Sequence, residues 1–244
     1  MKDYLQDLIT HIQGFESVET IKIVGNDKET KIYANASNKT VVIMGQFKKP
    51  VPEFIGTFGM PNLGKLRTIL GIDEYDEGAN ISVVTSKKDK EDVPSAIHFE
   101  CKTGDFVNDY RLMGGHVVVE RVKIPTQVVQ ITFNVEFTPT ISAIQRLKKQ
   151  ASANAEEVTF VTKLDGSDLK VYFGDHSSHS GNFVFEANIA GKLARAWAWP
   201  IKQVLAILSL AGDKTFKISD QGLCEIVVDS GLATYTYRLP AQQK

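Results

Sequence analysis

The chain contains the same β-hairpin pattern twice. Residues 101–113 read CKTGDFVNDYRLM and residues 228–240 read VDSGLATYTYRLP, 127 positions later in a chain of 244. Alternating apolar residues precede both turns, which predicts half-buried strands, and Gly104 and Gly231 provide the positive φ that a tight hairpin needs. Both copies end in Tyr-Arg-Leu and align without a gap. The pattern therefore predicts an internal duplication.

The segments around the hairpins also correspond, because each half of the sequence reads helix, strands, helix, strands. Apolar residues recur at helical spacing from Leu5 to Ile12 and from Ile141 to Ala151, and Pro61 and Pro200 each introduce a second helix. We therefore predict an α+β fold of two duplicated domains, each with two helices packed on antiparallel sheets. The predicted divisions are a first domain over 1–116, a connector over 117–127 and a second domain over 128–244.

Composition is consistent with a soluble globular protein, since 43% of the residues are hydrophobic and the chain can bury one large core or two ordinary ones. The first residues, MKDYLQDLITHIQGF, carry acids and lack an uninterrupted apolar run, so neither a signal peptide nor a membrane span is predicted. Without either signal, we predict that the protein is located in the cytoplasm. Cys101 and Cys224 occupy apolar positions of alternating strands, which predicts small buried side chains.

Positive charge is unevenly distributed along a chain whose net charge is only −1. Segments 54–72, 137–155 and 187–212 contain no acidic residue. A cationic surface formed by these segments would bind backbone phosphates independently of sequence. The alternative is that apolar helices merely lack acids, and the first helix, with Asp3 and Asp7, departs from the pattern. The candidate DNA-binding residues are Lys65, Arg67, Arg146, Lys148, Lys149, Lys192, Arg195 and Lys202.

Two motifs that suggest a ligand are incomplete. The stretch from Gly59 to Lys65 satisfies most of the G-x-x-x-x-G-K-[ST] phosphate-binding loop, but Leu66 replaces the hydroxyl residue that holds Mg²⁺. His176 and His179 lie in a Gly/Ser-rich turn without further ligands for a tetrahedral metal site. With no catalytic constellation in the sequence, we predict no metal, no cofactor and no enzymatic activity.

The repeat, the basic helices and the closing motif together resemble the DNA sliding clamps, the ring-shaped processivity factors of DNA polymerases. In size and layout the chain is most similar to the two-domain clamps of tailed phages and to proliferating cell nuclear antigen (PCNA). The resemblance is sharpest at GLCEIVVDSGLATYTYRLP, which looks like the final hairpin of such clamps. The segment from Phe47 to Glu53 and the non-acidic tail from Ala241 to Lys244 depart from the family pattern.

The resemblance implies a head-to-tail homotrimer whose six domains enclose duplex DNA and tether a DNA polymerase, with a clamp loader as a further partner. A viral clamp would act in the host cytoplasm. The resemblance also implies a hydrophobic groove for partner peptides, near Val117, Val119, Ile124, Pro125, Tyr237, Leu239 and Pro240. For Tyr237, Leu239 and Pro240 the alternative is that Leu239 is part of the hydrophobic core and not of a groove. The alternative for the whole chain is a duplicated β-rich structural or assembly protein, such as a viral particle subunit, that does not encircle DNA.

Overall fold

A computed structural model describes residues 1–15, 17–88, 91–123, 130–174 and 179–242. The chain forms two compact units, one of Met1–Thr126 with Ser230–Tyr235, the other of Gln127–Asp229 with Thr236–Lys244. Each unit combines helices with antiparallel sheets, so the predicted α+β class is confirmed. Helices in the described ranges are short, and none is both long and apolar enough to cross a membrane.

The first unit has three helices, a 3₁₀ turn at Asp73–Tyr75 and two sheets. Five of its strands lie in the order β8-β4-β1-β2-β3 within a nine-stranded sheet, and a separate three-stranded sheet has the order β5-β6-β7. The elements are α1 (Lys2–Ile12), β1 (Thr20–Gly25), β2 (Thr30–Asn35), β3 (Val42–Phe47), β4 (Gly56–Pro61), α2 (Leu63–Leu70), β5 (Asn80–Lys88), β6 (Glu91–Glu100), β7 (Val107–Arg111), β8 (Met113–Gly114) and α3 (Gly115–Arg121).

The second unit repeats this plan with two helices. A four-stranded sheet has the order β12-β11-β10-β13, and the strands β16-β15-β14-β9 are the remaining neighbours in the nine-stranded sheet. The elements are β9 (Val135–Phe137), α4 (Ile141–Ala153), β10 (Thr159–Asp165), β11 (Asp168–Phe173), β12 (Gly181–Glu186), β13 (Trp197–Pro200), α5 (Ile201–Leu208), β14 (Asp213–Ser219), β15 (Leu223–Asp229) and β16 (Ala233–Pro240).

Both predicted hairpins are present. Strands β6 and β7 pair around Gly104, and β15 and β16 are neighbours on either side of Gly231. The two glycines have φ values of +79° and +91°, which side chains disfavour, as the turn chemistry predicted. Alternate apolar residues of β6 and β15 are buried, and so are Tyr110 and Tyr237 of the two Tyr-Arg-Leu motifs.

The four predicted helices correspond to α1, α2, α4 and α5, but the prolines act differently from our prediction. Pro61 and Pro200 end strands β4 and β13 and precede the helices. Each pairs with a threonine of the adjacent strand, Thr20 in the first unit and Thr159 in the second. Proline tolerates this position at a strand end, where its missing N–H removes no ladder bond from the strand interior.

Helix α3 was not predicted. It contains residues 117–121 of the segment that we predicted as a connector, and it packs on β4 in the first unit. Val118 is fully buried in this contact, and Gly59 permits it, because a Cβ on Gly59 would lie 2.7 Å from Cγ2 of Val118. Residues 124–127 of the predicted connector lie outside the described ranges.

Candidate functional site

Helix α4 has an exposed basic side and a buried apolar side. It begins at Thr140, whose side chain accepts a hydrogen bond of 3.1 Å from the N–H of Ala143. The buried side contains Ile144 and Leu147. The exposed side carries Arg146 and Lys149, while Lys148 is half-buried, and the helix sequence contains no acid. Three of the predicted DNA-binding residues are thus grouped on one helix.

Helix α5 contacts α4 and contributes Lys202. The helix buries Ile201, Val204 and Ile207, and Lys202 is exposed in its first turn. The remaining two candidates of this unit, Lys192 and Arg195, lie in the loop before β13 and are exposed. The guanidinium of Arg195 stacks over the Trp197 ring at 4.0 Å from its centroid, so this side chain is held by a cation–π contact.

In the first unit, Lys65 and Arg67 are exposed on α2. Arg67 donates a hydrogen bond of 3.1 Å to Oε1 of Gln13, just beyond the end of α1. Helix α2 contacts α1, so the two basic residues belong to a two-helix layer like that of the second unit.

The acids of α1 have different environments. Asp3 is exposed, whereas the Asp7 side chain is only 8% exposed and accepts a hydrogen bond of 2.7 Å from the Tyr235 hydroxyl. The His11 ring stacks on the Tyr235 ring with centroids 4.6 Å apart. The carboxylate of Asp7 is therefore part of the protein interior, and only Asp3 adds negative charge to the exposed side of α1.

The predicted peptide-binding residues are distributed unequally between surface and core. Val119 on α3 is 51% exposed, Val117 is half-buried and Pro240 is exposed. For two others the structure favours the alternative of a place in the core. Tyr237 and Leu239 are fully buried, because the alternation along β16 turns both into the core. Ile124 and Pro125 lie outside the described residues.

A buried charge cluster in the second unit was not predicted. Glu225 is 6% exposed, accepts a hydrogen bond of 2.8 Å from Nε of Arg238 and lies 3.6 Å from Nζ of Lys217. Arg238 belongs to the second Tyr-Arg-Leu motif, whereas Arg111 of the first motif is exposed and has no polar partner in the described part of the chain. The repeated arginine therefore pairs with a buried carboxylate in one unit and lies on the surface in the other.

The two incomplete motifs and the cysteines do not form a reactive site within the described ranges. Both cysteines are buried, as predicted, and burial raises the pKa of the Cys224 thiol. No cluster of three His, Cys, Asp or Glu side chains suited to a metal occurs among the residues that the structure describes, and His176 lies outside them. The phosphate-loop-like stretch forms the end of β4 and the start of α2, with Asn62 capping the helix.

Comparison with known proteins gives a result for the fold alone. No family model matches the sequence, and no curated protein matches it in sequence. Among solved structures, the chain is similar to the PCNA of A. fulgidus, in a structure with the C-terminal region of FEN-1 bound. The TM-score is 0.69 and the sequence identity is 11%, and the match covers 100% of this chain and 96% of that chain. It is also similar to the PCNA of Thermococcus kodakaraensis, with a TM-score of 0.68 and 11% identity over 99% and 97% of the two chains. Over its whole length, this chain has the fold of the sliding clamps.

Proposed function

We propose that this protein is a DNA sliding clamp that encircles duplex DNA and tethers a DNA polymerase, without catalysing a reaction itself. The observation that carries the proposal is the clamp fold over the full length of the chain. The acid-free exposed side of α4, with Arg146 and Lys149, supports it, because clustered cations without base-reading groups favour sequence-independent contact with phosphates.

Topological retention is the property that distinguishes a clamp from an ordinary DNA-binding protein. The test is to load the protein with its clamp loader onto nicked circular DNA and to follow retention during gel filtration at moderate salt. We expect retention on the circle and rapid loss after the circle is linearised. Equal retention on both forms would indicate simple electrostatic binding, and no retention on either form would favour an assembly protein.

The positive residues of the second unit provide a sharper test. Reversal of Arg146, Lys149 and Lys202 to Glu should lower DNA affinity at low salt by about tenfold or more and reduce its salt dependence, because fewer counterions are released. The matched control reverses Lys28, Lys102 and Lys163, three exposed lysines outside the helices, and changes the net charge equally. If both triple variants lose affinity to the same extent, the basic helices are not the DNA-binding surface.

Assembly into a head-to-tail homotrimer is part of the proposal. Among the described strands, β7 of the first unit pairs only with β6, and β12 of the second unit pairs only with β11. Val107 on β7 is 47% exposed at such an edge. Two different sheet edges can pair between successive copies in a heterologous contact, and such contacts close into a ring when the rotation allows it.

We also propose that a peptide of the polymerase or of the clamp loader binds near Val119, the most exposed apolar residue of α3. Substitution of Val119 by Asp should weaken binding of the C-terminal peptide of the cognate polymerase by about tenfold, since a charge in an apolar contact is costly. Pro240→Ser tests the end of β16 separately. Unchanged affinity in both variants would place the peptide site elsewhere.

A further inference from the structure

Two cavities in the first unit have Glu19, Thr20 and Arg121 in common among their lining residues. The smaller has a volume of about 240 Å³ and is otherwise lined by Ser17, Asn35, Ser37 and Val122. The larger, of about 450 Å³, lies between the end of α1, the start of β1 and the start of α2. Their combined size is in the range of sites for small organic ligands or short peptide segments.

Opposite charges face these cavities without forming an ion pair. Arg121, the last residue of α3, is exposed, and its guanidinium makes no hydrogen bond or ion pair with the residues that the structure describes. Glu19 is also exposed and lines the same two cavities, but no described cation lies within ion-pair distance of it. An available arginine fork beside a cavity suits a planar oxyanion, which it can bind bidentately.

The hydroxyl of Thr20 is a second, independent sign of a ligand. Thr20 is only 8% exposed, it lines both cavities, and none of the described groups forms a hydrogen bond with its hydroxyl. Because Thr20 lines both cavities, a bound polar group can accept a hydrogen bond from its hydroxyl. Leu63 and Gly64 line the larger cavity in the first turn of α2, where main-chain N–H groups have no acceptor inside the helix.

A buried cation adds to the positive field. Lys22 is 5% exposed, and its ammonium donates a hydrogen bond of 3.3 Å to the carbonyl of Val122, a residue that lines the smaller cavity. Lys22 lies two residues after Thr20 on β1, so the two side chains share one face of the strand.

A corresponding cavity recurs in the second unit. It has a volume of about 490 Å³ and lies at the end of α4, the start of β10 and the start of α5, with Glu157 and Lys202 on its walls. Thr159 and Pro200 border it just as Thr20 and Pro61 border the larger cavity of the first unit. The cavity is thus a feature of the repeat, with Arg121 as a lining cation in the first unit and Lys202 in the second.

We propose that the cavities around Arg121 bind the carboxylate of a peptide, with Arg121 and Thr20 donating to the carboxylate and Glu19 accepting from the peptide main chain. A single negative charge fits better than a phosphate dianion, because Glu19 would repel the dianion more strongly. The carboxylate belongs to an acidic side chain or to a peptide C-terminus. The proposal concerns a site separate from the basic helices and does not depend on DNA binding.

The test uses the full chain, labelled with ¹⁵N, and three alanine-based pentapeptides. One carries a central Glu with both ends blocked, one has only a free C-terminal carboxylate, and one carries a central Gln with both ends blocked. We expect saturable amide shifts at Thr20, Leu63 and Arg121 with one or both carboxylate peptides and none with the Gln peptide. The two carboxylate peptides identify which source of the carboxylate binds.

Variants then assign the contacts. Arg121→Gln should weaken binding about tenfold or more, and Thr20→Val should weaken it several-fold while preserving side-chain shape. Arg111→Gln is the matched control, since Arg111 is an exposed arginine of the same unit outside both cavities, and it should leave affinity unchanged. Binding of the Gln peptide with equal affinity, displacement by equimolar inorganic phosphate, or the absence of saturable shifts would each overturn the proposal.

Discussion

Leu239 and Pro240 are adjacent residues with opposite environments. Leu239 is fully buried and Pro240 is exposed at the end of β16. Our expectation that both lie near a partner site came from the family resemblance, whereas the alternation of Ala233, Tyr235, Tyr237 and Leu239 was already visible in the sequence. For a residue in a regular strand, the period-two pattern of apolar residues predicted burial better than the family resemblance did.

The difference between these neighbours gives a stability prediction. Leu239→Ala should lower the free energy of unfolding by about 2–5 kcal/mol, because it removes buried methyl groups and leaves a cavity. Pro240→Ser should change it by about 0.5 kcal/mol or less. Urea denaturation measures both. Equal midpoints for the two variants would contradict the assignment of Leu239 to the core.

Lys22 gives a prediction that depends on pH. Burial lowers the pKa of Lys22 from its ordinary value of 10.5. Between the lowered pKa and 10.5, the unfolded chain binds more protons than the folded chain at this residue, so its contribution to stability rises with pH. The slope is at most about 1.4 kcal/mol per pH unit within that window. The unfolding midpoint of wild type relative to Lys22→Met should therefore rise as pH approaches 10.5.

Lys31→Met is the contrasting control. A hydrogen bond with Glu29 raises the pKa of Lys31, so the stabilisation from this group is complete below 10.5 and is lost only above it. Relative to Lys31→Met, the midpoint of wild type should stay constant up to 10.5. A parallel pH dependence in the two comparisons would refute the role of Lys22 burial.

At the scale of elements, helix α3 shows what the sequence could not reveal. GHVVVER contains three consecutive valines, whose branched side chains favour strands, and the segment was predicted as a connector. Its helical form depends on contact with β4, where glycine allows close approach. The other four helices were predictable because their apolar spacing alone identifies one buried side each.

The contact between α3 and β4 can be tested by a double-mutant cycle. Gly59→Ala should destabilise the protein by about 1–3 kcal/mol, because the new methyl group collides with Val118. In the Val118→Ala background the same change should cost less, with a coupling of about 0.5–3 kcal/mol. Urea denaturation of the four variants provides the values. Strictly additive effects would indicate that α3 does not pack on Gly59.

At the scale of the whole molecule, the fold class and the duplication were readable from hairpin spacing and helix periodicity, while the distribution of charge was only partly readable. Asp7 counted as an exposed acid in the sequence, yet in the structure Tyr235 binds its carboxylate in the interior. Tyr235 is 228 positions away, and no local pattern reports a hydrogen bond over that separation.

The proposed assembly makes a prediction at this scale. Val107→Lys adds a charge to the exposed edge of β7 and should prevent edge pairing between copies without unfolding the chain. Multi-angle light scattering should show a trimer for wild type and a monomer for the variant at micromolar concentration. Lys28→Glu, a charge change in a turn away from that edge, should leave the trimer intact. A trimer in the Val107 variant would exclude β7 from the interface.

The participation of Ser230–Tyr235 in the first unit has a consequence for biosynthesis. Tyr235 is a fully buried residue of that unit, stacked on His11 and bonded to Asp7 near the start of the chain. A nascent chain on the ribosome therefore lacks part of its first core until Tyr235 has been synthesised. The first unit cannot complete its core before β16 is made, so a chain that terminates before this strand would have an incomplete first unit as well as a shortened second one.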